Sequence, residues 1–180
     1  MPASPSAARN SRMSDMATPR EDGKNDIAGV VGADVMGGGI VQLFACAGYR
    51  TKLFDSREGA AAASIAKTTA LLQMRLDLGK IDRAELDALT GIASVADRLD
   101  DLADATIVIE AMIEDLDNKR GIFQRLEEIV AADCINATNT SSILVTSITA
   151  GMTAPDRALG AHFFNPVPLM RIAKVISTAS

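Results

Sequence analysis

The chain has 180 residues, 48% of them apolar, with 18 basic and 23 acidic side chains and a formal charge of -5. That is enough for one sizeable core and fits the ordinary range of a single domain. A pI near 4.9 argues against a nucleic-acid partner, which needs a basic face for counterion release, and no apolar run approaches the ~20 residues that span a bilayer.

Residues 1–24 are rich in Ser, Pro, Ala and Arg and lack a hydrophobic stretch. This excludes a secretory signal with an apolar core and predicts a disordered tail preceding a domain over 25–180. A transit peptide is the alternative, because the first acidic residue is Asp15, but Pro2, Pro5 and Pro19 disfavour an amphipathic helix. A start at Met13 or Met16 is a further reading.

Asp26 to Val31 is a short apolar run that stops at Gly32, and Val35 to Gly48 then carries helix-compatible residues. Strand, glycine turn and helix are expected. Thr51 to Phe54 resumes an extended run and stops at Asp55, completing a strand–helix–strand unit that calls for right-handed parallel pairing. Arg57 to Leu78 sets Ile65, Leu72 and Leu76 on one helical stripe. A short helix over Arg83 to Leu89 and a brief strand over Ile92 to Val95 follow, then an acidic stretch from Asp97 to Asp104.

Thr106 to Ile109 is β-branched and apolar on both faces, as a central parallel strand should be, and leads into the acidic loop Glu110 to Asp115. Leu116 to Ala131 aligns Phe123, Leu126 and Val130 as a helical stripe. Cys134 to Ala137 reads as a strand entering the polar loop Thr138 to Ser142, and Ala158 to Phe164 and Ile172 to Ile176 are the last extended runs. The expected fold is α/β, a Rossmann-like doubly wound and mostly parallel sheet. The polar clusters Gly32 to Gly37, Asp55, Glu110 to Asp115 and Asn139 to Ser142 all follow strand C-terminal ends, where such sheets bind small molecules.

Gly32-Ala-Asp-Val-Met-Gly37 occupies the place of a Gly-x-Gly-x-x-Gly dinucleotide loop, with Asp34 standing at the second glycine. A carboxylate there adds bulk and negative charge where a pyrophosphate should pass, so weakened dinucleotide affinity is expected. Asp55, 18 residues beyond Gly37, is placed to accept hydrogen bonds from a ribose diol, which favours NAD over NADP. The bland alternatives are a tight strand–helix turn and a helix-capping aspartate.

Cys46 and Cys134 show no metal-ligand or disulfide spacing, so no metal is expected and a reducing, cytoplasmic setting fits. The single histidine, His162, lies in Gly160-Ala-His-Phe-Phe-Asn-Pro-Val-Pro168. It is either a buried structural histidine or a positioned proton carrier, the role for which its near-neutral titration suits it.

Together, Val30-Val-Gly-Ala-x-x-Met-Gly-Gly-Gly-Ile40, Val108-Ile-Glu-Ala111, Glu114-Asp-Leu116 with Lys119, Asn139-Thr-Ser-Ser142 and His162-Phe-Phe-Asn-Pro-Val-Pro168 resemble the L-3-hydroxyacyl-CoA dehydrogenase family. The likeness runs from about Asp26 to Thr178 and corresponds to that family's N-terminal NAD-binding domain. It implies NAD-dependent interconversion of (S)-3-hydroxyacyl-CoA and 3-oxoacyl-CoA in fatty-acid β-oxidation or related acyl-CoA metabolism, with an acyl-CoA as substrate. His162 would take the hydroxyl proton and Ser141 would hold the substrate oxygen. Gly32, Asp34, Met36, Gly37, Asp55, Glu114, Lys119 and Asn165 match cofactor-contacting positions; read alone, Ser141 is also a turn cap, Glu114 and Lys119 a surface pair, and Asn165 a turn residue.

The resemblance also marks departures. In the family, the strand after Pro-Val-Pro carries a glutamate that pairs with the histidine, and Lys174 stands there in this chain. A lysine cannot accept the ring N–H and disfavours an imidazolium beside it, so impaired catalysis is expected. Family members continue into a helical second domain that supplies a dimer contact, so a homodimer is expected only where that domain is supplied. The alternative reading is a non-catalytic fragment of the dinucleotide fold acting as a binding or assembly module.

Overall fold

The computed structural model describes residues 26–170 and 173–177. The expected tail over 1–24, and Ile172 of the last extended run, lie outside the described residues. The elements in chain order are β1 (Ile27–Val31), α1 (Val35–Cys46), β2 (Arg50–Phe54), α2 (Ala60–Asp77), α3 (Arg83–Ile92) and β3 (Ala93–Val95). They continue as β4 (Ile107–Glu110), α4 (Leu116–Ile129), β5 (Ile135–Thr138), α5 (Val145–Ile148), β6 (Ala158–Phe163), α6 (Val167–Met170) and β7 (Ala173–Ser177).

The strands form one sheet in the order β3-β2-β1-β4-β5-β6-β7. All neighbours are parallel except β6 and β7, which pair antiparallel. This is a doubly wound sheet whose strand order reverses between β1 and β4. All five residues of β1 are buried, which is why that strand reads as a continuous apolar run rather than an alternating one.

Alternation of the pleat divides the core between the two faces. Leu53, Val30, Ile109 and Ala137 stand in register across four strands and join Ile40, Leu72 and Leu89 from the helices on one side. Val31 and Val108 belong to the opposite cluster with Leu102, Leu126, Val130 and Cys134. The stripes expected in α2 and α4 are those used: Leu72, Phe123, Leu126 and Val130 are buried, and Ile65 and Leu76 pack at the core's edge. Successive glycines of α1 admit close neighbours, since a Cβ on Gly38 would stand 3.0 Å from the Ser64 hydroxyl and one on Gly39 3.0 Å from Val167.

Several boundaries differ from expectation for local reasons. α2 begins at Ala60, not Arg57, because Gly59 takes a left-handed φ of 73° and Arg57 is held by Asp55. α3 runs three residues further than the sequence implies and absorbs Ile92. β4 extends one residue further and includes Glu110, whose charge is satisfied inside the protein. The helices α5 and α6 and the 3-10 turns at Leu99–Leu102 and Pro155–Arg157 are too short to show a helical period. Among the described residues no helix is long and apolar enough to cross a membrane.

Candidate functional site

The polar clusters gather at the C-terminal edge of the parallel strands. Gly32 leaves β1 with φ 106°, a conformation that favours glycine. A Cβ there would lie 2.7 Å from the Ala111 carbonyl oxygen at the end of neighbouring β4. A Cβ on Gly37 would run into the Gly32 carbonyl oxygen, so the loop and the first turn of α1 close on each other only with glycine at both places. Asp34, the intervening departure, has φ -74° and ψ -172°, extended backbone open to any residue. Its cost is therefore confined to the side chain.

That side chain is turned aside. As N-cap of α1 the Asp34 carboxylate makes no capping hydrogen bond; instead its Oδ1 accepts from Arg57 Nη2 at 2.9 Å. The same guanidinium donates to Asp55 through Nε at 3.0 Å and Nη2 at 2.9 Å. Asp55 also accepts the amides of Ala33 and Arg57 at 2.8 and 2.9 Å. Hydrogen bonding from the Arg57 side chain, opposed by burial and aided by those amides, holds the Asp55 carboxyl down at about 2; the two aspartates in turn raise Arg57. Gly32, Asp34, Asp55, Arg57, Met112 and Ile113 line one side of a cleft of about 520 Å³.

A charge pair lies at the end of β4. Glu110 and Lys119 are both fully buried, and Lys119 Nζ donates to Glu110 Oε1 at 2.7 Å. The Met112 amide reaches the same oxygen at 2.6 Å and the Thr138 hydroxyl reaches Oε2 at 2.7 Å. Such satisfaction is what lets a buried pair persist against its desolvation penalty. Lys119 also keeps the longer ion pair to Glu114 that its spacing allows, at 3.9 Å, but from a buried position and not on the surface.

Glu114 also holds the loop after β5. It accepts the Ser141 amide at 2.8 Å, the Ser141 hydroxyl at 3.3 Å and the Thr140 hydroxyl at 2.7 Å. Burial raises its carboxyl, but these donors and the nearby Lys119 charge outweigh it and leave it lowered. Ser141 and His162 line a second cavity of about 260 Å³ with Thr140, Leu144, Gly160 and Ile176.

His162 sits in β6, half-buried, with its ring 4.8 Å from that of Phe164. The strand end is fixed by Asn139, whose Oδ1 accepts the Phe163 amide at 2.9 Å. Lys174 of β7 is the register partner of His162.

The sequence-named residues therefore fall into two groups. Gly32, Asp34, Gly37 and Asp55 shape the first cleft, while Ser141 and His162 share the second with Glu114 beside them. Met36 is half-buried against the core, and Asn165 lies exposed beyond β6, joined to Pro166 by a cis peptide. Arg57, Glu110 and Asn139 join these as residues to which the sequence assigns no individual role. For Arg57 the clue is a cation two residues after the ribose-type acid, and for Glu110 a carboxylate ending an apolar strand nine residues before a lysine.

Residues 27–180 match the family model described as the 3-hydroxyacyl-CoA dehydrogenase NAD binding domain. A 3-hydroxybutyryl-CoA dehydrogenase of Clostridioides difficile is 38% identical over 148 residues, covering 82% of this chain and 53% of that protein. The mitochondrial hydroxyacyl-coenzyme A dehydrogenase of Homo sapiens is 36% identical over 155 residues, 83% and 49% respectively. A crystal structure of 3-hydroxybutyryl-CoA dehydrogenase from Escherichia coli K12 superposes with a TM-score of 0.80 at 33% identity, covering 83% of this chain and 32% of that one. The chain spans about half the length of the curated relatives it matches.

Proposed function

Since the chain belongs to the 3-hydroxyacyl-CoA dehydrogenase family through its NAD-binding domain, we propose that it binds NAD at the β1–β4 switch point and carries the proton-transfer histidine for interconverting (S)-3-hydroxyacyl-CoA and 3-oxoacyl-CoA. The observation that carries this reading is the shared cavity of His162 and Ser141, in a chain whose glycine-loop cleft includes Asp55.

The residues present fit the dinucleotide. Gly32 and Gly37 let the loop close tightly onto the first turn of α1, at a helix N-terminus where amides and the helix dipole favour a pyrophosphate. Asp55, pinned at the end of β2 by the Ala33 amide, offers a carboxylate that remains ionised well below neutrality to a ribose diol. Bound NAD supplies the hydride acceptor for the substrate's hydroxyl-bearing carbon.

The protein's own groups manage the proton and the geometry. His162 accepts the proton of the 3-hydroxyl during oxidation and returns it during reduction. Its ring is steadied by Phe164, and Asn139 keeps the end of β6 against the β5 loop. Glu114 holds Ser141 by amide and hydroxyl, setting the serine to orient the substrate oxygen. Lys174 opposite His162 slows this transfer, because an ammonium at that position cannot accept the ring N–H and so does not orient the imidazole.

A second reading, a binding or assembly module without turnover, is favoured by the same His162 and Lys174 pairing. We also assign the chain to the reducing cytoplasm, a reading supported by the free thiols of exposed Cys46 and buried Cys134.

The test is NADH oxidation with acetoacetyl-CoA by the full chain and its H162A variant, after NADH binding has been measured by fluorescence. Slow turnover that disappears with His162 is expected. NADH binding with no His162-dependent turnover supports the module instead, and failure to bind NADH at millimolar concentration sinks the dinucleotide reading.

A further inference from the structure

A non-glycine residue at the middle of the glycine loop brings a carboxylate to the edge of a pyrophosphate site. The same cleft holds an unusual compensation: Arg57 is 61% exposed at its side chain, yet its guanidinium is bound by two carboxylates, Asp34 at 2.9 Å and Asp55 at 2.9 Å. Asp55 is the tucked member, 6% exposed. With two Arg57 side-chain donors and two backbone amides, it already accepts four hydrogen bonds, about the capacity of a carboxylate. A ribose diol reaching Asp55 must therefore take over lone pairs that Arg57 now occupies.

We propose that Arg57 is a partner-switching specificity residue of the dinucleotide site, ceding Asp55 to the adenosine ribose while staying on Asp34 and neutralising it beside the pyrophosphate. This rests on the NAD-binding reading above. The charges explain why the exchange is favourable. With Arg57 retained on Asp34 the cluster of Asp34, Asp55 and Arg57 carries one net negative charge, and the carboxylate nearest the phosphates is neutralised, whereas without Arg57 it carries two; at separations of a few ångströms in a partly solvated cleft, that added repulsion is worth a measurable factor in affinity. The ribose hydroxyls replace the donors that Asp55 gives up, so no carboxylate oxygen is left bare. Arg57 thus allows an aspartate to stand where the loop otherwise takes glycine.

The two roles separate in a mutant cycle. NADH and NADPH dissociation constants are measured by fluorescence titration and calorimetry for the full chain and for R57A, D34G and D34G/R57A, with thermal melts confirming folding. Expected is an NADH Kd raised roughly tenfold by R57A in the parent chain, and no loss, or a small gain, from R57A in the D34G background, where Arg57 only competes for Asp55. Equal losses from R57A in both backgrounds, or none in either, overturn the proposal while leaving NAD binding intact. NADPH binding tighter than NADH and abolished by R57A also overturns it, because Arg57 would then serve a 2′-phosphate. Binding by D34G but not by the parent chain defeats the compensation yet preserves the NAD reading, whereas binding by neither defeats both.

Discussion

His162 and Lys174 stand directly opposite each other in the antiparallel β6–β7 ladder, so their side chains leave the same face of the sheet at neighbouring positions. Directly opposed residues place their Cβ atoms about 5 Å apart, close enough for a long side chain to govern its partner. The residue opposite the histidine is thus the one best placed to orient its ring, and here it is a cation.

Replacing that cation with a carboxylate tests the point. K174E is expected to raise kcat for acetoacetyl-CoA reduction by at least about tenfold, since positioned acid–base catalysis contributes ~10²–10⁴-fold. K174M, which removes the charge without supplying an acceptor, should recover only part of the gain. An unchanged kcat in K174E means that Lys174 does not act on the imidazole.

Glu110 and Lys119 form a fully buried pair at 2.7 Å. Removing one partner strands the other, so K119M or E110Q should each cost about 3–5 kcal/mol, whereas the double variant should cost less than the sum of the two. Urea denaturation at pH 7 gives all three values. Additive losses contradict the pairing.

Two glycines in left-handed or crowded places separate sterics from backbone strain. G37A drives a methyl into the Gly32 carbonyl oxygen and should cost about 1–3 kcal/mol together with NADH binding. G48A meets nothing within 4 Å and faces only the strain of φ 90°, about 1–2 kcal/mol, with NADH affinity preserved. Thermal melts and NADH titrations of both variants check the contrast.

Asp55 carries a pH dependence with a definite sign. Its folded carboxyl is depressed to about 2, chiefly by the Arg57 side chain, from an ordinary value near ~3.9. It therefore contributes stability at pH above its unfolded value, and that contribution fades as pH falls from about 4 toward 2. In R57A the Asp55 carboxyl should titrate nearer its ordinary value by NMR, and the loss of stability across this acid window should be shallower. The same slope in both proteins refutes Arg57 as the cause.

Much of the fold was legible because parallel strands buried on both faces must be continuous apolar runs. Ile27 to Val31 and Ile107 to Ile109 announce themselves in this way, and glycine at 32 and 37 marks the turn between strand and helix. Ile92 ends a helix where the sequence implies a strand, and Glu110 ends a strand where it implies a loop, because propensity at an element's end is weak against a tertiary contact. Nothing local in Leu116 to Ile129 says that Lys119 points inward, since a lysine on an amphipathic helix is ordinarily solvated; only the waiting Glu110 carboxylate on β4 makes its burial possible.

The sequence alone determined the doubly wound α/β class, the glycine loop, the acid at Asp55 and the histidine in its Phe-Phe-Asn-Pro block, because each is a short-range pattern of residue type and spacing. Tertiary structure decided what the charges do. Asp34 is engaged by Arg57 rather than by the helix it caps, Lys119 by Glu110 rather than by solvent, and Ser141 by Glu114 across 27 residues. Electrostatic partners are chosen by distance and burial in three dimensions, which the linear order of charges does not encode.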